Sequence, residues 1–449
     1  MKSKIDFIEG NTRKNLMKMF IPLFLAMTLT MLYSMVDGLW VGNMLGENGM
    51  SALTSGTALV LIMNSLAMGM GNGISVMFAH YIGNRDVKKI PGASAAVLTA
   101  GIVISLVLTI IVEIMLGRIL AFMGTPEEVF SDALLYLRIY MIGNSALFIY
   151  MLFTSIFRAF GDSMFQMKGM IVTVIVNTIA DPFFIKPFGL AGAAAVTVVS
   201  EIICLLYAVM YFKKTGLLTI NFREMKPEYI KTMMKLSVPT TIQSITPPIS
   251  SAVMISFVSS FGLTALAGFG VARNLELIMF MPATGMCMAL SSICGQCEGS
   301  GRTDRAGDYL KAGLVTGGVL TAILSFAVIM YSKSLTGMYG QGSEVAAVVG
   351  GFFKVLSVGY VLYMLTCCMQ GFITGLGNPG RSMILQILYY YIFRIPVTVF
   401  MKAQLGLKGI WIAFLISHIL AFIAAVVMTE KLIKFEEKRR MNYEICNNI

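Results

Sequence analysis

The sequence predicts an all-α polytopic membrane protein with twelve transmembrane helices in two pseudo-symmetric six-helix bundles. The 449 residues are 57% hydrophobic and only 13% charged, with a mean hydropathy of +0.79, whereas soluble domains carry about 25% charged residues. Apolar runs of about 20 residues, each long enough to cross a bilayer, recur along the whole chain. Short motifs of the first half also recur, in the same order, in the second half.

Twelve apolar runs are the predicted spans. They cover residues 16–41, 51–80, 93–117, 133–157, 166–186, 190–212, 236–260, 266–294, 310–331, 347–374, 382–402 and 409–429. The first run is too long for a signal-peptide core and lacks a small-residue cleavage site, so we expect it to be retained. The longest polar connection, 212–235, separates six spans from six. We therefore expect an N-terminal bundle over 1–219, a cytoplasmic linker over 220–235 and a C-terminal bundle with a short tail over 236–449.

The distribution of basic residues predicts the orientation in the membrane. With the N-terminus inside, the cytoplasmic segments hold 25 of the 34 Lys and Arg, the outer segments hold seven, and two lie within spans. Because short cytoplasmic loops are enriched in Lys and Arg, both termini are expected in the cytoplasm of a bacterium or archaeon, with the spans in its plasma membrane. The net charge of +11 then reflects topology, and no nucleic-acid partner is expected.

Two motif pairs indicate an internal repeat. Phe160-Gly-Asp162 before the fifth span corresponds to Leu376-Gly-Asn378 before the eleventh. Gly189-Leu-Ala-Gly192 opens the sixth span, as Gly406-Leu-Lys-Gly409 opens the twelfth. Six spans followed by six of like orientation are typical of parallel repeats in secondary transporters.

The fifth span carries an amide and a carboxylate one helical turn apart. Asn177 and Asp181 are four residues apart and share a face. Pro182 has no N–H to donate, so the carbonyl of Thr178 loses its helical partner. A charge at bilayer depth costs about 2.5–3.5 kcal/mol on insertion scales and marks a functional site by default.

The first span repeats this arrangement with Tyr33 and Asp37. At about 1.5 Å per residue, Asp37 lies about 22 Å from Pro22, and Asp181 lies equally far from Gln166. Two carboxylates in one low-dielectric pocket cannot both ionise cheaply, so we expect at least one to bind a proton. The alternative is that Asp37 caps a frayed helix end at the outer interface.

The second half carries different polar groups. Arg273 and Glu276 are three residues apart and can pair, which is the structural alternative to a role in binding. Arg394-Ile-Pro396 is expected to hold the place of Asp181-Pro182. One half would then couple to a cation while the other is electrostatically locked. Glu201, near mid-membrane in the sixth span, is expected to line a central cavity with these arginines and Glu276.

Missing motifs exclude several classes of function. The chain has no GxxxxGK[ST] phosphate loop, no HExxH and no GxSxG, so neither ATP hydrolysis by that route nor intramembrane hydrolysis is expected. We predict that the protein is not an enzyme and has no cofactor or structural metal apart from H⁺ or Na⁺ as coupling ion. The 36 Met, 29 Phe and 17 Tyr suit an adaptable surface for organic cations, or helix packing alone.

Taken together, the motifs resemble the multidrug and toxic compound extrusion (MATE) family, in its prokaryotic DinF-like branch. The resemblance covers essentially the whole chain and rests on Val36–Gly42, Phe157–Asp162, Asn177–Pro182, Gly189–Ala194, and Gly295-Gln296 with Asp304–Ala306. It implies a V-shaped pair of six-helix bundles, monomeric in the lipid bilayer, that exports small organic, often cationic, compounds in exchange for protons or sodium. Asp37, Asn177 and Asp181 match the family's cation-coupling positions, and Tyr33 and Thr197 match residues beside them.

The resemblance leaves the coupling ion open. Val238–Gln243 in span seven lacks the glutamate that another branch uses, which argues against sodium in that half, but Na⁺ at Asp37 and Asp181 remains an option beside H⁺. Glu276 matches an acidic position in span eight. The rival function is a lipid-linked oligosaccharide flippase, which should line its cavity with several basic side chains, whereas only two arginines lie within spans.

Overall fold

The computed structural model describes residues 5–216, 219–338 and 342–447. Two of the basic residues used for the orientation, Lys2 and Lys4, lie outside the described residues. The described part is helical almost throughout, without a β-strand. Its α-helices are α1 (Thr12–Gly83), α2 (Ile90–Phe122), α3 (Glu127–Ala159), α4 (Ser163–Phe188), α5 (Leu190–Thr215), α6 (Pro227–Ser259), α7 (Leu263–Gly299), α8 (Thr303–Met338), α9 (Ser343–Gly375), α10 (Pro379–Ile387) and α11 (Arg394–Asn447). Short 3₁₀ turns lie at Val87–Lys89 and Phe222–Glu224.

Two of the helices are bent at a glycine, which gives twelve membrane-crossing segments. Ten helical stretches of the described chain are long and apolar enough to cross a membrane. Gly46 interrupts α1 with φ 66° and ψ −153°, and Gly406 interrupts α11 with φ 60° and ψ −138°. These conformations lie in the left-handed half of the map, which glycine adopts without steric cost. Dividing both helices there confirms the predicted twelve spans.

The helices start where the sequence supplies suitable first turns. Pro91 lies at the start of α2, where its missing N–H costs nothing. Glu127 and Glu128 occupy the first turn of α3, where negative charge offsets the helix dipole. These local signals place the helix ends, while the apolar runs set the helix lengths.

The described residues form two compact units. The N-terminal unit contains residues 21–245, and the C-terminal unit contains residues 6–20 together with those from 246 onward. The division falls within α6, and the first two turns of α1 pack with the C-terminal unit. The division of the sequence into two bundles, 1–219 and 236–449, with a linker between them, remains a prediction.

Each unit has an aromatic core that fixes its helices. In the N-terminal unit the rings of Phe157 and Phe165 lie 4.6 Å apart between α3 and α4. In the C-terminal unit Trp411 stacks on Phe269 at 5.7 Å and meets Phe352 edge-on at 4.9 Å. Such pairs add about 0.5–1.5 kcal/mol each beyond the burial of their surface, so the polar side chains described below are held by rigid surroundings.

The backbone itself repeats between the two halves. Residues with positive φ recur at a spacing of 216 in three pairs, Gly46/Gly262, Arg85/Gly301 and Gly161/Gly377, and at a spacing of 217 in Gly189/Gly406. A single additional residue therefore lies between 377 and 406. A π-helix at Leu388–Phe393 accounts for it, because a π-turn holds one residue more than an α-turn.

The spacing between the two halves corrects one predicted correspondence. Beyond the π-helix the spacing of 217 aligns Arg394 with Asn177 and Thr398 with Asp181. The prediction that Arg394-Ile-Pro396 holds the place of Asp181-Pro182 is therefore wrong by one helical turn. A second contact supports this register independently. A Cβ on Gly192 would collide with the carbonyl oxygen of Phe184, and a Cβ on Gly409 would collide with that of Met401, which again lies 217 residues later.

Candidate functional site

The N-terminal unit buries four polar side chains that lack a basic partner. Asp37 of α1 is 9% exposed, Asn177 and Asp181 of α4 are 0% exposed, and Glu201 of α5 is 5% exposed. Within the described chain, none of their carboxylates lies in an ion pair with Lys, Arg or His. We call these four residues the acidic cluster.

Asn177 and Asp181 present unsatisfied atoms within a continuous helix. Helix α4 runs through Pro182 to Phe188, so the proline does not end the helix. Both polar side-chain atoms of Asn177 and both carboxylate oxygens of Asp181 are buried without a hydrogen-bond partner. Leaving one buried polar atom unpaired costs about 1–3 kcal/mol. The two side chains can therefore gain free energy by taking up a proton or a cation.

Asp37 belongs to the same electrostatic site as Asp181. Its Oδ1 is also buried without a hydrogen-bond partner, and its charge acts on the Asp181 carboxylate. The helix continues beyond Asp37 as far as the bend at Gly46, so the alternative of a helix-end cap does not hold. The two carboxylates repel each other when both are charged, and proton or cation binding at one affects the other.

A direct hydrogen bond joins α1 to α5 beside this pair. The Tyr33 hydroxyl donates to Thr197 Oγ1 at 3.0 Å, and Thr197 Oγ1 in turn donates to the Ala193 carbonyl at 3.2 Å. Tyr33 lies one turn before Asp37, so the structure brings together the coupling residues implied by the resemblance and ties two of the helices that carry them.

Two further residues of this site, Tyr136 and Tyr140, were missed by sequence reasoning. Tyr136 of α3 is 5% exposed and lies within electrostatic range of all three carboxylates of the acidic cluster. Tyr140, one turn later, shares a hydrogen bond with Asn64 of α1. Tyr136 and Tyr140 lie four residues apart on one face of α3, but the same spacing of aromatic residues is ordinary packing in an apolar helix.

The predicted ion pair of the C-terminal unit is present. Arg273 Nη1 donates to Glu276 Oε2 at 2.5 Å, and the Tyr360 hydroxyl donates to Glu276 Oε1 at 3.0 Å. The Glu276 side chain is 1% exposed while that of Arg273 is 26% exposed. The carboxylate is therefore fixed by two donors, and only the arginine reaches the surface of the unit.

Arg394 is a buried cation held by aromatic rings instead of a carboxylate. It is 3% exposed, and its guanidinium lies 4.7 Å from the ring centre of Tyr390 and 4.3 Å from that of Phe414. Its Nη2 donates to the Tyr389 hydroxyl at 2.7 Å, and its Nε donates to Ser417 Oγ at 3.2 Å. Desolvated cation–π contacts are worth about 2 kcal/mol or more, which offsets part of the cost of burial.

The repeat relates these groups across the two units. With the spacing of 217, Arg394 corresponds to Asn177, and His418 corresponds to Glu201. His418 is 1% exposed, and its Nδ1 lies 2.8 Å from the Tyr389 hydroxyl. The C-terminal unit thus carries the guanidinium of Arg394 at the position where the N-terminal unit carries the amide of Asn177, close to carboxylates.

Among the described residues, no group of three or more His, Cys, Asp and Glu is arranged so that it could hold a metal ion. A carboxylate of the acidic cluster can take up a proton, and oxygen atoms of carboxylates and amides are the ligands that hard cations prefer.

Comparison with known proteins agrees with this architecture. The family model MatE matches residues 22–183 and again residues 239–400, two stretches that are 217 residues apart. The "Probable multidrug resistance protein YpnP" of Bacillus subtilis (strain 168) is 28% identical over 429 residues, covering 93% of this chain and 96% of that protein. The "Multidrug export protein MepA" of Staphylococcus aureus (strain MSSA476) is 24% identical over 431 residues, 94% of each chain.

Solved structures share the fold over the whole length. An outward-facing multidrug resistance MATE family transporter of the MOP superfamily superposes with a TM-score of 0.90 at 21% identity, covering 98% of this chain and 100% of the other. The Vibrio cholerae MATE transporter VcmN in its bent form gives 0.88 at 18% identity, with 95% and 98% covered. Since the two MatE matches together span more than half of the sequence, this chain belongs to the MatE family, the multidrug and toxic compound extrusion family that its motifs resemble.

Proposed function

We propose that this protein is a secondary active antiporter that exports small organic compounds, cationic or amphipathic, in exchange for protons or sodium. The observation that carries the proposal is the acidic cluster, whose buried carboxylates and amide have unsatisfied atoms and no basic partner in the described chain. The relatives described as multidrug resistance and multidrug export proteins support the substrate class.

Ion binding acts first on the pair Asp37 and Asp181. Two like charges in an apolar bundle repel, so a proton or Na⁺ at one relieves the other. Neutralising Asp37 changes the forces on α1, which already contains Pro22 and so lacks one helical hydrogen bond. The helix can then change its bend, which biases the protein between outward-open and inward-open states.

The driving force is sufficient for export. One charge moved across 100 mV supplies about 2.3 kcal/mol, and one pH unit supplies about 1.4 kcal/mol per proton. For one proton exchanged against one uncharged substrate, the two terms together correspond to an accumulation ratio of several hundred, since about 1.4 kcal/mol is a factor of ten. For a substrate that carries one positive charge the charge movements cancel, and one pH unit supports a ratio of about ten.

Substrate binding involves Glu276 in the C-terminal unit. Its carboxylate is buried among aromatic rings and already holds the guanidinium of Arg273. A cationic substrate group of similar size can replace that guanidinium, because the more exposed arginine is free to swing outward. The buried charge of Glu276 would thus be neutralised by the substrate or by Arg273 in turn. Arg394 and Glu201, expected from sequence at a central cavity, are buried within the C-terminal and N-terminal units respectively.

The membrane setting completes the proposal. The protein works as a monomer in the plasma membrane of a bacterium or archaeon, with both termini and the 220–235 segment in the cytoplasm. Its partners are the lipid bilayer and its small-molecule substrates, and it needs no cofactor beyond the coupling ion.

Uptake of a fluorescent organic cation into proteoliposomes tests the function. The purified protein is reconstituted, and a pH gradient and a sodium gradient are imposed separately. We expect transport with at least one gradient and its loss in Asp181→Asn, with unchanged insertion and monodispersity. Transport that needs neither gradient, or full gradient-driven transport by Asp181→Asn, would contradict the proposal.

A further inference from the structure

Glu201 is the carboxylate of the acidic cluster that has no role in the ion binding proposed above for Asp37 and Asp181. It lies in α5, one turn after Thr197, and is 5% exposed. Its Oε2 is buried without a hydrogen-bond partner. An isolated buried carboxylate is expensive when charged, so Glu201 must hold a proton for at least part of the time.

The neighbouring helix is shaped to admit this carboxylate. Oε2 of Glu201 occupies the place where a Cβ on Gly143 would lie. Residue 143 is in the middle of α3, where glycine is unfavourable by about 0.5–1 kcal/mol relative to alanine. The glycine therefore gives space to the Glu201 carboxylate and also to Val198 of α5, whose Cα lies 3.1 Å from the same point.

The surroundings of Glu201 contain proton donors and acceptors but no cation in an ion pair with it. Tyrosines from α1 and α3 and a cysteine of α5 lie within electrostatic range of Glu201. The aspartate of α4 is near the same place, because Tyr136 interacts with both carboxylates. These groups are Tyr33, Tyr136, Tyr140, Cys204 and Asp181. Each can share a hydrogen bond with a protonated or ionised carboxyl group.

Glu201 lies at one end of a series of protonatable groups. Asp37 and Tyr33 are one turn apart on α1, the Tyr33 hydroxyl bonds to Thr197, and Glu201 is one turn beyond Thr197 on α5. One turn is about 5.4 Å along the helix axis. The last turn of α5 contains Lys213 and Lys214, so Glu201 is displaced from Thr197 toward the end that the charge distribution assigns to the cytoplasm.

We propose that Glu201 is a proton relay between the coupling carboxylates and the cytoplasmic face of the N-terminal unit. The inference rests on the proposed function, in its proton-coupled form. A proton leaves the carboxyl group of Asp37 or Asp181, an O–H bond forms on Glu201, and Glu201 then gives the proton to water at the cytoplasmic side. The hydroxyls of Tyr33 and Thr197 lie between the two ends. No group is oxidised or reduced, and Glu201 ends each cycle in its starting state.

Two transport assays, net efflux and substrate exchange, distinguish a proton-relay role of Glu201 from a role in substrate binding. Net efflux driven by a pH gradient requires proton release on each cycle, whereas exchange of labelled for unlabelled substrate across the membrane does not. Glu201→Gln should therefore lower net efflux by about tenfold or more, a modest part of what a positioned proton-transfer group supplies, and leave exchange unchanged. Glu201→Asp keeps the carboxyl group and should restore part of the net rate.

Two further variants sharpen the test. Glu128→Gln removes an exposed carboxylate from the first turn of α3 and should match the wild type in both assays. Gly143→Ala places a methyl group against Glu201 and should slow net efflux while sparing exchange, and adding Glu201→Gln to it should cause little further loss. Gel filtration of each variant establishes that the fold is intact. For a variant that is produced in low yield, the ratio of the net efflux rate to the exchange rate is compared, because this ratio does not depend on the amount of protein.

The outcomes distinguish this inference from the proposed function. If the wild type shows no ion-driven transport, the proposed function fails. If the wild type is driven by a proton gradient but Glu201→Gln equals it in both assays, or loses exchange together with net efflux, the relay is overturned and the antiporter stands. Wild-type transport driven by sodium alone would likewise overturn the relay and leave the antiporter.

Discussion

The Tyr33 hydroxyl donates to Thr197 Oγ1 over 3.0 Å and so connects α1 with α5 one turn from Asp37. This bond crosses the bundle at the depth where the acidic cluster lies. A change of charge on Asp37 therefore acts on α1 close to its hydrogen bond with α5. Mutation of Tyr33 tests whether this bond matters.

Tyr33→Phe should slow gradient-driven transport and lower thermal stability. Loss of one buried neutral hydrogen bond costs about 0.5–1.5 kcal/mol, while the ring and its packing remain. The control is Tyr331→Phe, which removes a hydroxyl from a tyrosine that is 64% exposed and should change neither property. Thermal unfolding in detergent and proteoliposome uptake measure both effects. Unchanged transport in Tyr33→Phe would show that the bond has no part in coupling.

Asp37→Asn and Asp181→Asn should each abolish gradient-driven efflux while leaving substrate binding intact. The two carboxylates act on each other, so we expect the double substitution to be no worse than either single one, the non-additivity of groups that form one unit. Proton release on substrate binding, measured in weakly buffered detergent, should be lost in all three variants. Additive losses, or proton release that persists in Asp181→Asn, would mean that the two groups work independently.

Arg273→Met should reduce folding yield more than Arg273→Met combined with Glu276→Gln. Removing the arginine leaves Glu276 buried and charged, which costs about 3–5 kcal/mol when a buried pair is broken from one side. The double variant removes both charges and keeps most of the volume. Expression level and thermal unfolding give the stability order. A double variant that is stable yet does not transport would assign Glu276 a part in substrate binding, whereas equal damage in both would contradict the energetic role of the pair.

Gly189→Ala should destabilise the protein by about 1–3 kcal/mol, because its φ of 60° and ψ of −141° lie in a region that residues with a side chain rarely adopt. Gly189 has a φ of 60° with open space around it, so backbone strain is the only new cost. Gly117→Ala is the matched control. It lies inside α2, also in open space, and should be neutral or stabilising by about 0.5–1 kcal/mol. Equal melting temperatures for the two variants would refute the strain argument.

A cysteine replacing Lys226 should resist an impermeant thiol reagent in intact cells and react after permeabilisation. The positive-inside distribution places this exposed residue in the cytoplasm. A cysteine replacing the exposed Glu127, at the start of α3, should react in intact cells and serves as the opposite control. The reverse pattern would invert the proposed orientation.

The sequence predicted the number of spans well but not every register within them. Long apolar runs such as 93–117 have no other way to satisfy their backbone groups in lipid than to form helices, so composition alone locates them. The place of Arg394 was wrong by four residues because a charge close to a proline does not mark the register, whereas the spacing of 217 between Gly189 and Gly406 does. Hydropathy also gives no sign of the additional residue that the π-helix at Leu388–Phe393 contains.

The candidate site was predicted in part. Asp37, Asn177 and Asp181 stand out because charge and amide groups are rare in such helices. Tyr136 and Tyr140 do not, since an aromatic residue in an apolar span is ordinarily packing. Their role depends on which helix faces the carboxylates, and that is decided by packing between helices far apart in sequence.

The π-helix at Leu388–Phe393 also bears on how the two halves diverged. An insertion in an ordinary α-helix turns everything after it by about 100°, which would have carried Arg394 away from the face that Asn177 occupies in the first half. Because the π-turn takes up the inserted residue locally, the residues after it keep the orientation of their ancestral counterparts. The two halves therefore differ in charge at this position, an amide in the first and a guanidinium in the second, while the helical face that carries the side chain is the same.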